Sequence, residues 1–178
     1  MRRWPLFVAA ATFIVPQMAW PQAHRLYSGL EARPIKALSD QQIADLKAGR
    51  GMGMALAAEL NGYPGPVHVL ELAEPLGLTP GQRDRMAELF EAMKAEAVAL
   101  GETLIAAEAS LDRQFAARTV TEVGLVESVQ AIAAVQASLR AAHLKYHLAT
   151  GEVLTRDQVA RYAELRGYAG GTHKPHQH

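Results

Sequence analysis

Apolar residues recur at a heptad interval over residues 80–117. One row is Met86, Met93, Leu100 and Ala107, and a second is Phe90, Ala97, Leu104 and Leu111. A seam of about 3.5 residues kept up over this length predicts one long α-helix packed at a shallow angle on another. At about 1.5 Å of rise per residue it would be roughly 57 Å long. Residues 118–120 interrupt the pattern, and Thr121 with Glu122 opens a return helix. Its stripe is Leu125, Val129, Ile132, Leu139 and Tyr146, reaching Thr150. The pair predicts an antiparallel helical hairpin. Shorter helical pieces are expected at 39–47, 55–60, 67–76 and 156–166. Gly49 to Met54 and the turn cluster 61–66 separate the first three, and Gly77 stops the third.

Both long-range boundaries carry the same spelling. Leu78-Thr79-Pro80-Gly81-Gln82 precedes the first long helix, and Leu154-Thr155-Arg156-Asp157-Gln158 precedes the last short one. Thr at the N-cap accepts a backbone N–H from the first turn. Gln at N3 can reach back to the N-cap N–H, which closes a capping box. Pro80 falls at N1, where a missing donor costs nothing. A looser copy, Leu38-Ser39-Asp40-Gln41-Gln42, lies upstream. Leu38 with Ile43 and Leu154 with Val159 add hydrophobic staples. The Leu78 copy has Arg83 at the staple position and Gly81 in its first turn, so it is expected to be the weaker cap.

Composition narrows the class. The 178 residues contain 6% aromatics and no cysteine, and their formal net charge is zero. Few aromatics argue for thin helical layers, completed by a second copy in a homodimer. Disulfides and thiolate metal sites are excluded, and a nucleic-acid footprint is not expected. Met1-Arg2-Arg3, the apolar run 5–15 and the small residues near Ala19 and Ala23 read as a signal peptide over 1–23. Removing it takes Arg2 and Arg3 and no acid, so 16 bases remain against 18 acids, a net charge of −2. An exported, periplasmic protein is expected. Residues 24–66 then form an N-terminal arm with short helices, 67–166 the hairpin domain, and 167–178 a disordered tail containing histidines.

With a signal peptide, a helical hairpin, no cysteine and L-T-x-x-Q at Leu78–Gln82 and Leu154–Gln158, the chain resembles the LTxxQ superfamily of bacterial periplasmic proteins. That group includes the Spy/CpxP stress chaperones and related heavy-metal resistance and sensor proteins. The resemblance covers residues 70–165 and implies an all-α, often dimeric fold. It also implies ATP-independent holding of unfolded chains in some members and binding of Zn, Ni, Co or Cu in others. Residues 32–66 lie outside it.

Two sets of histidines could carry such chemistry. His143 and His147 are one turn apart, which puts both imidazoles on one helix face and suits a first-row divalent ion. Antiparallel pairing would bring Glu91 or Glu88 near as an oxygen ligand, with Met93 as a soft alternative. His173, His176 and His178 in the tail could capture a cation without a preformed site. At the mature N-terminus, His24 could chelate together with the free amine. His68, before an apolar helix, reads as structural, and Met86 and Met93 read as core. Met52 and Met54, between glycines, are less easily explained as core.

Catalytic signatures are absent from the sequence: it has no G-x-S-x-G, H-E-x-x-H, C-x-x-C or phosphate loop. The expectation is a non-enzymatic periplasmic stress protein that binds divalent metal. The alternatives are an ATP-independent chaperone and a docking partner of a membrane stress sensor.

Overall fold

A computed structural model describes residues 27–168; helices joined by turns make up their regular structure, with no strand among them. After a 3₁₀ turn at Leu30–Ala32 come six helices: α1 (Asp40–Lys47), α2 (Leu56–Glu59), α3 (Pro66–Glu71), α4 (Pro80–Ala116), α5 (Glu122–Val153) and α6 (Arg156–Leu165). Among the described residues no helix is long and apolar enough to cross a membrane.

The capping chemistry decides where helices begin. Ser39, Thr79 and Thr155 each accept from the N3 backbone N–H, and Gln42, Gln82 and Gln158 reach back to complete three capping boxes. The box at Thr79 closes like the others. There Arg83, in the staple position, turns back to donate to the Leu78 carbonyl and to pair with Glu74. Thr121 caps α5 from its hydroxyl alone, because Gly124 stands at N3 with no side chain to return the bond.

The two boxed glutamines also find each other. Gln82 Nε2 donates to Gln158 Oε1 at 2.9 Å, and Gln158 Nε2 donates to Gln82 Oε1 at 3.1 Å. Each amide makes a second donation to the chain that leads into the other's helix. Gln82 reaches the Val153 carbonyl at 3.0 Å, and Gln158 the Leu76 carbonyl at 3.3 Å. The repeated motif is thus one polar lock holding the starts of α4 and α6 together.

Contacts between α4 and α5 step in opposite directions along the two helices. Gln82 meets Val153, Glu96 meets Lys145 and Tyr146, and Gln114 meets Ser128. Along α4 the buried row is Met86, Leu89, Met93, Ala97, Gly101 and Leu104. Leu89 and Gly101 join the predicted seam because α3 and α1 also lie on α4. On α5 the expected stripe needs a correction: Val129 is 49% exposed. The inward position there is Ser128, whose hydroxyl accepts from Gln114 Nε2 at 3.2 Å. A polar bond therefore holds a place that apolar spacing assigned to valine.

The third helix is shorter than expected, ending at Glu71. Pro75 cannot supply the N–H that the Glu71 carbonyl would take, and it disfavours helical geometry at Glu74. Residues 72–77 continue as turns, closed by Leu78 N–H on the Ala73 carbonyl with Gly77 at φ 60°.

Apolar burial falls into two clusters. One gathers Val69, Leu76, Leu78, Met86, Leu89, Leu154 and Tyr162 around the glutamine lock. The other gathers Ile35, Leu38, Leu46, Ala97, Leu104, Ile132 and Leu139. Segment 32–66 therefore packs on α4 and α5 of its own chain. Contact is closest at Gly101, where a Cβ would lie 2.6 Å from the Leu46 carbonyl oxygen. Only a glycine lets the end of α1 approach α4 that closely.

Candidate functional site

A cavity of about 260 Å³, lined by more apolar than polar surface, opens beside α5. Its walls come from four directions: His143 and His147 from α5, Met93 from α4, Gly51 to Gly53 and Glu59 from the N-terminal segment, and Gly65 to His68 from the start of α3. The histidines are buried, at 2% and 7% exposure. One helical turn of spacing aligns them on the face of α5 that looks inward.

The tautomer of His147 follows from its partner. Nδ1 lies 2.7 Å from the Tyr63 carbonyl, and a carbonyl only accepts, so Nδ1 carries the proton. In the neutral ring the lone pair is then on Nε2. A histidine whose far nitrogen donates to a carbonyl is oriented as metal-bound histidines are. Gly65 leaves room for the ring, since a Cβ there would sit 2.9 Å from Cε1 and 3.0 Å from Nε2 of His147.

Nε2 of His143 is buried and has no hydrogen-bond partner among the described residues. Burial, and next the nearby His147, pull its pKa below the ordinary value, so the ring is held neutral. A buried polar nitrogen left without a partner costs on the order of 1–3 kcal/mol.

Glu59 buttresses the pair. Its Oε2 accepts from the Gly65 N–H at 3.2 Å and stands 3.7 Å from His147 Nδ1. Its Oε1 accepts from the hydroxyls of Tyr162 and Tyr168 and lies 3.8 Å from Arg166 Nε. The Tyr162 phenol is raised far above its usual pKa, by burial first and then by its bond to Glu59, so it remains a donor. Glu59 thereby ties α2 to α6 behind the histidines.

The sequence-predicted residues divide clearly. His143, His147 and Met93 line one cavity. Glu91 is exposed on α4, and Glu88 is exposed and bonded to Arg85 at 2.8 Å. Neither lines the cavity, and the carboxylate beside the pair is Glu59 instead. His68 reaches the cavity wall with its Nδ1 3.1 Å from Glu71. His24, His173, His176 and His178 lie outside the described residues. Among the described residues no three His, Asp or Glu side chains form a metal-holding group. Spacing gives no sign of Glu59 or of the Tyr63 carbonyl, both brought in by chain that lies more than one helix away.

No family model, curated protein or solved structure matches the chain.

Proposed function

We propose that this is a non-enzymatic, exported stress protein that binds a transition-metal ion through His143 and His147. The observation that carries the reading is a buried i, i+4 imidazole pair opening on a cavity. One member is fixed by a carbonyl so that it offers Nε2, and the other has a buried nitrogen without a partner. Zn, Ni, Co and Cu all suit imidazole donors. The opposed stepping of contacts along α4 and α5 supports an antiparallel hairpin as the frame, which would dimerise to cover its thin layers. The signal-peptide pattern at residues 1–23 supports a periplasmic setting, where the protein would sense or buffer the metal.

The test is calorimetric titration with Zn, Ni, Co and Cu ions. Binding that is micromolar or tighter and lost in the His143→Ala, His147→Ala double variant supports the reading. Binding that survives both changes would remove the site from this cavity.

A second reading, an ATP-independent chaperone, is supported by exposed apolar side chains. Phe115, Val123, Val126 and Val129 are exposed near the α4–α5 turn, and Leu56, Leu60 and Leu148 are exposed elsewhere. Such surface can hold unfolded chains. It would show as suppressed aggregation of a denatured client, undiminished in the double histidine variant.

A further inference from the structure

The donors around the cavity are not all nitrogen. Met93 is 7% exposed, yet it belongs to neither apolar cluster, whereas Met86, seven residues earlier on the same seam, sits inside one. Met93 instead shares the cavity wall with His143 and His147. A second thioether, Met52, lies on the same wall with its backbone at φ 44°, a left-handed conformation that side chains other than glycine seldom adopt. Oxygen is poorly supplied: the carboxylate of Glu59 is already taken by Tyr162, Tyr168 and the Gly65 N–H. Hard cations need several oxygens, and a closed zinc site wants four nitrogen, sulfur or oxygen ligands. His68 on the same wall is part-exposed and engaged by Glu71, and the two buried imidazoles with a thioether meet neither demand. They do meet the low coordination number and soft-ligand preference of a monovalent d10 ion.

Resting on the metal-binding reading above, we propose that this cavity takes Cu(I), with the Met93 sulfur as a ligand beside His143 and His147. Met52 stands at the rim as a fourth donor or an entry contact. Divalent zinc would use the imidazoles alone and bind more weakly.

The experiment is anaerobic competition for Cu(I) against a chromophoric chelator, run beside zinc calorimetry on the same full-length proteins. Met93→Leu keeps volume and apolarity. It is expected to weaken Cu(I) binding about tenfold or more while leaving zinc affinity within about twofold. Met86→Leu, in the apolar cluster, is expected to change neither. X-ray absorption at the copper edge of the unaltered protein should show a sulfur neighbour in addition to nitrogens. Unchanged Cu(I) affinity in Met93→Leu, equal losses for both metals, or a copper edge without sulfur would each overturn the thioether assignment. Zinc binding would persist in the first case, which separates that failure from failure of the metal-binding reading, where neither ion binds the unaltered protein.

Discussion

Gln82 and Gln158 hold each other's amides face to face while each also closes the cap of its own helix. Every Oε1 accepts from an N-cap N–H and from the opposite Nε2, and every Nε2 donates onward to a backbone carbonyl. Two helix starts 76 residues apart are thereby joined by side chains that a local reading treats as separate caps.

Coupling between these glutamines should therefore be measurable. Either Gln82→Ala or Gln158→Ala should cost roughly 1–2 kcal/mol of unfolding free energy, from a lost cap and lost bonds. The double variant should cost less than the sum, with a coupling of about 1 kcal/mol in a denaturant double-mutant cycle. Strict additivity would mean that the two caps act independently.

Much of the fold is legible in the chain because helix starts are encoded locally. Ser39, Thr79 and Thr155 announce their caps within four residues, and the heptad rows announce the length of α4. Apolar spacing runs past the end of α3 at Glu71, because it does not register the stop imposed by the Glu74–Pro75 pair. Apolar spacing points to Val129, but a polar Ser128–Gln114 bond takes the facing position. At the site, the i, i+4 histidines are visible in sequence, since one helix supplies both. Glu59 and the Tyr63 carbonyl are not, because their approach to His147 is set by how the short segment 49–66 folds over α4 and α5. Close contacts at Gly49, Gly65 and Gly101 allow that approach, and only three-dimensional packing shows which glycines matter.

The cradle of His147 offers a test that alters no ligand. Gly65 has φ −85°, a backbone open to any residue, so Gly65→Ala is free of torsional strain. The added methyl would still meet the imidazole at 2.9 Å and displace it. Metal affinity by calorimetry should fall about tenfold, as for lost orienting contacts around other metal ligands, with little change in helix content. Unchanged affinity would show that the ring is not held where ligation needs it.

Acid should loosen the contact between α4 and α5. The carboxyl of Glu96 is held below its ordinary 4.5, first by the hydrogen bond from Lys145 and with help from Tyr146. A depressed carboxylate contributes stability that is present above its unfolded pKa and lost as pH falls through the folded value. Glu96→Gln should therefore lower the urea midpoint at neutral pH by a small amount, as expected of an ion pair open to solvent. The gap from the unaltered protein should close as pH falls below about 4.5. A gap that stays constant with pH would assign the effect to shape rather than charge.

Whether the proposed metal site lies beside α5 or among the histidines of the tail is tested by one titration. Zinc is added by calorimetry to the full-length protein and to a variant ending at Gly171, which lacks His173, His176 and His178. Affinity and stoichiometry at the tightest site should be the same in both, and that site should vanish when His143 and His147 are replaced by alanine. Loss of all binding with the tail, or none in the full-length protein, would contradict a metal site between α4, α5 and the N-terminal segment.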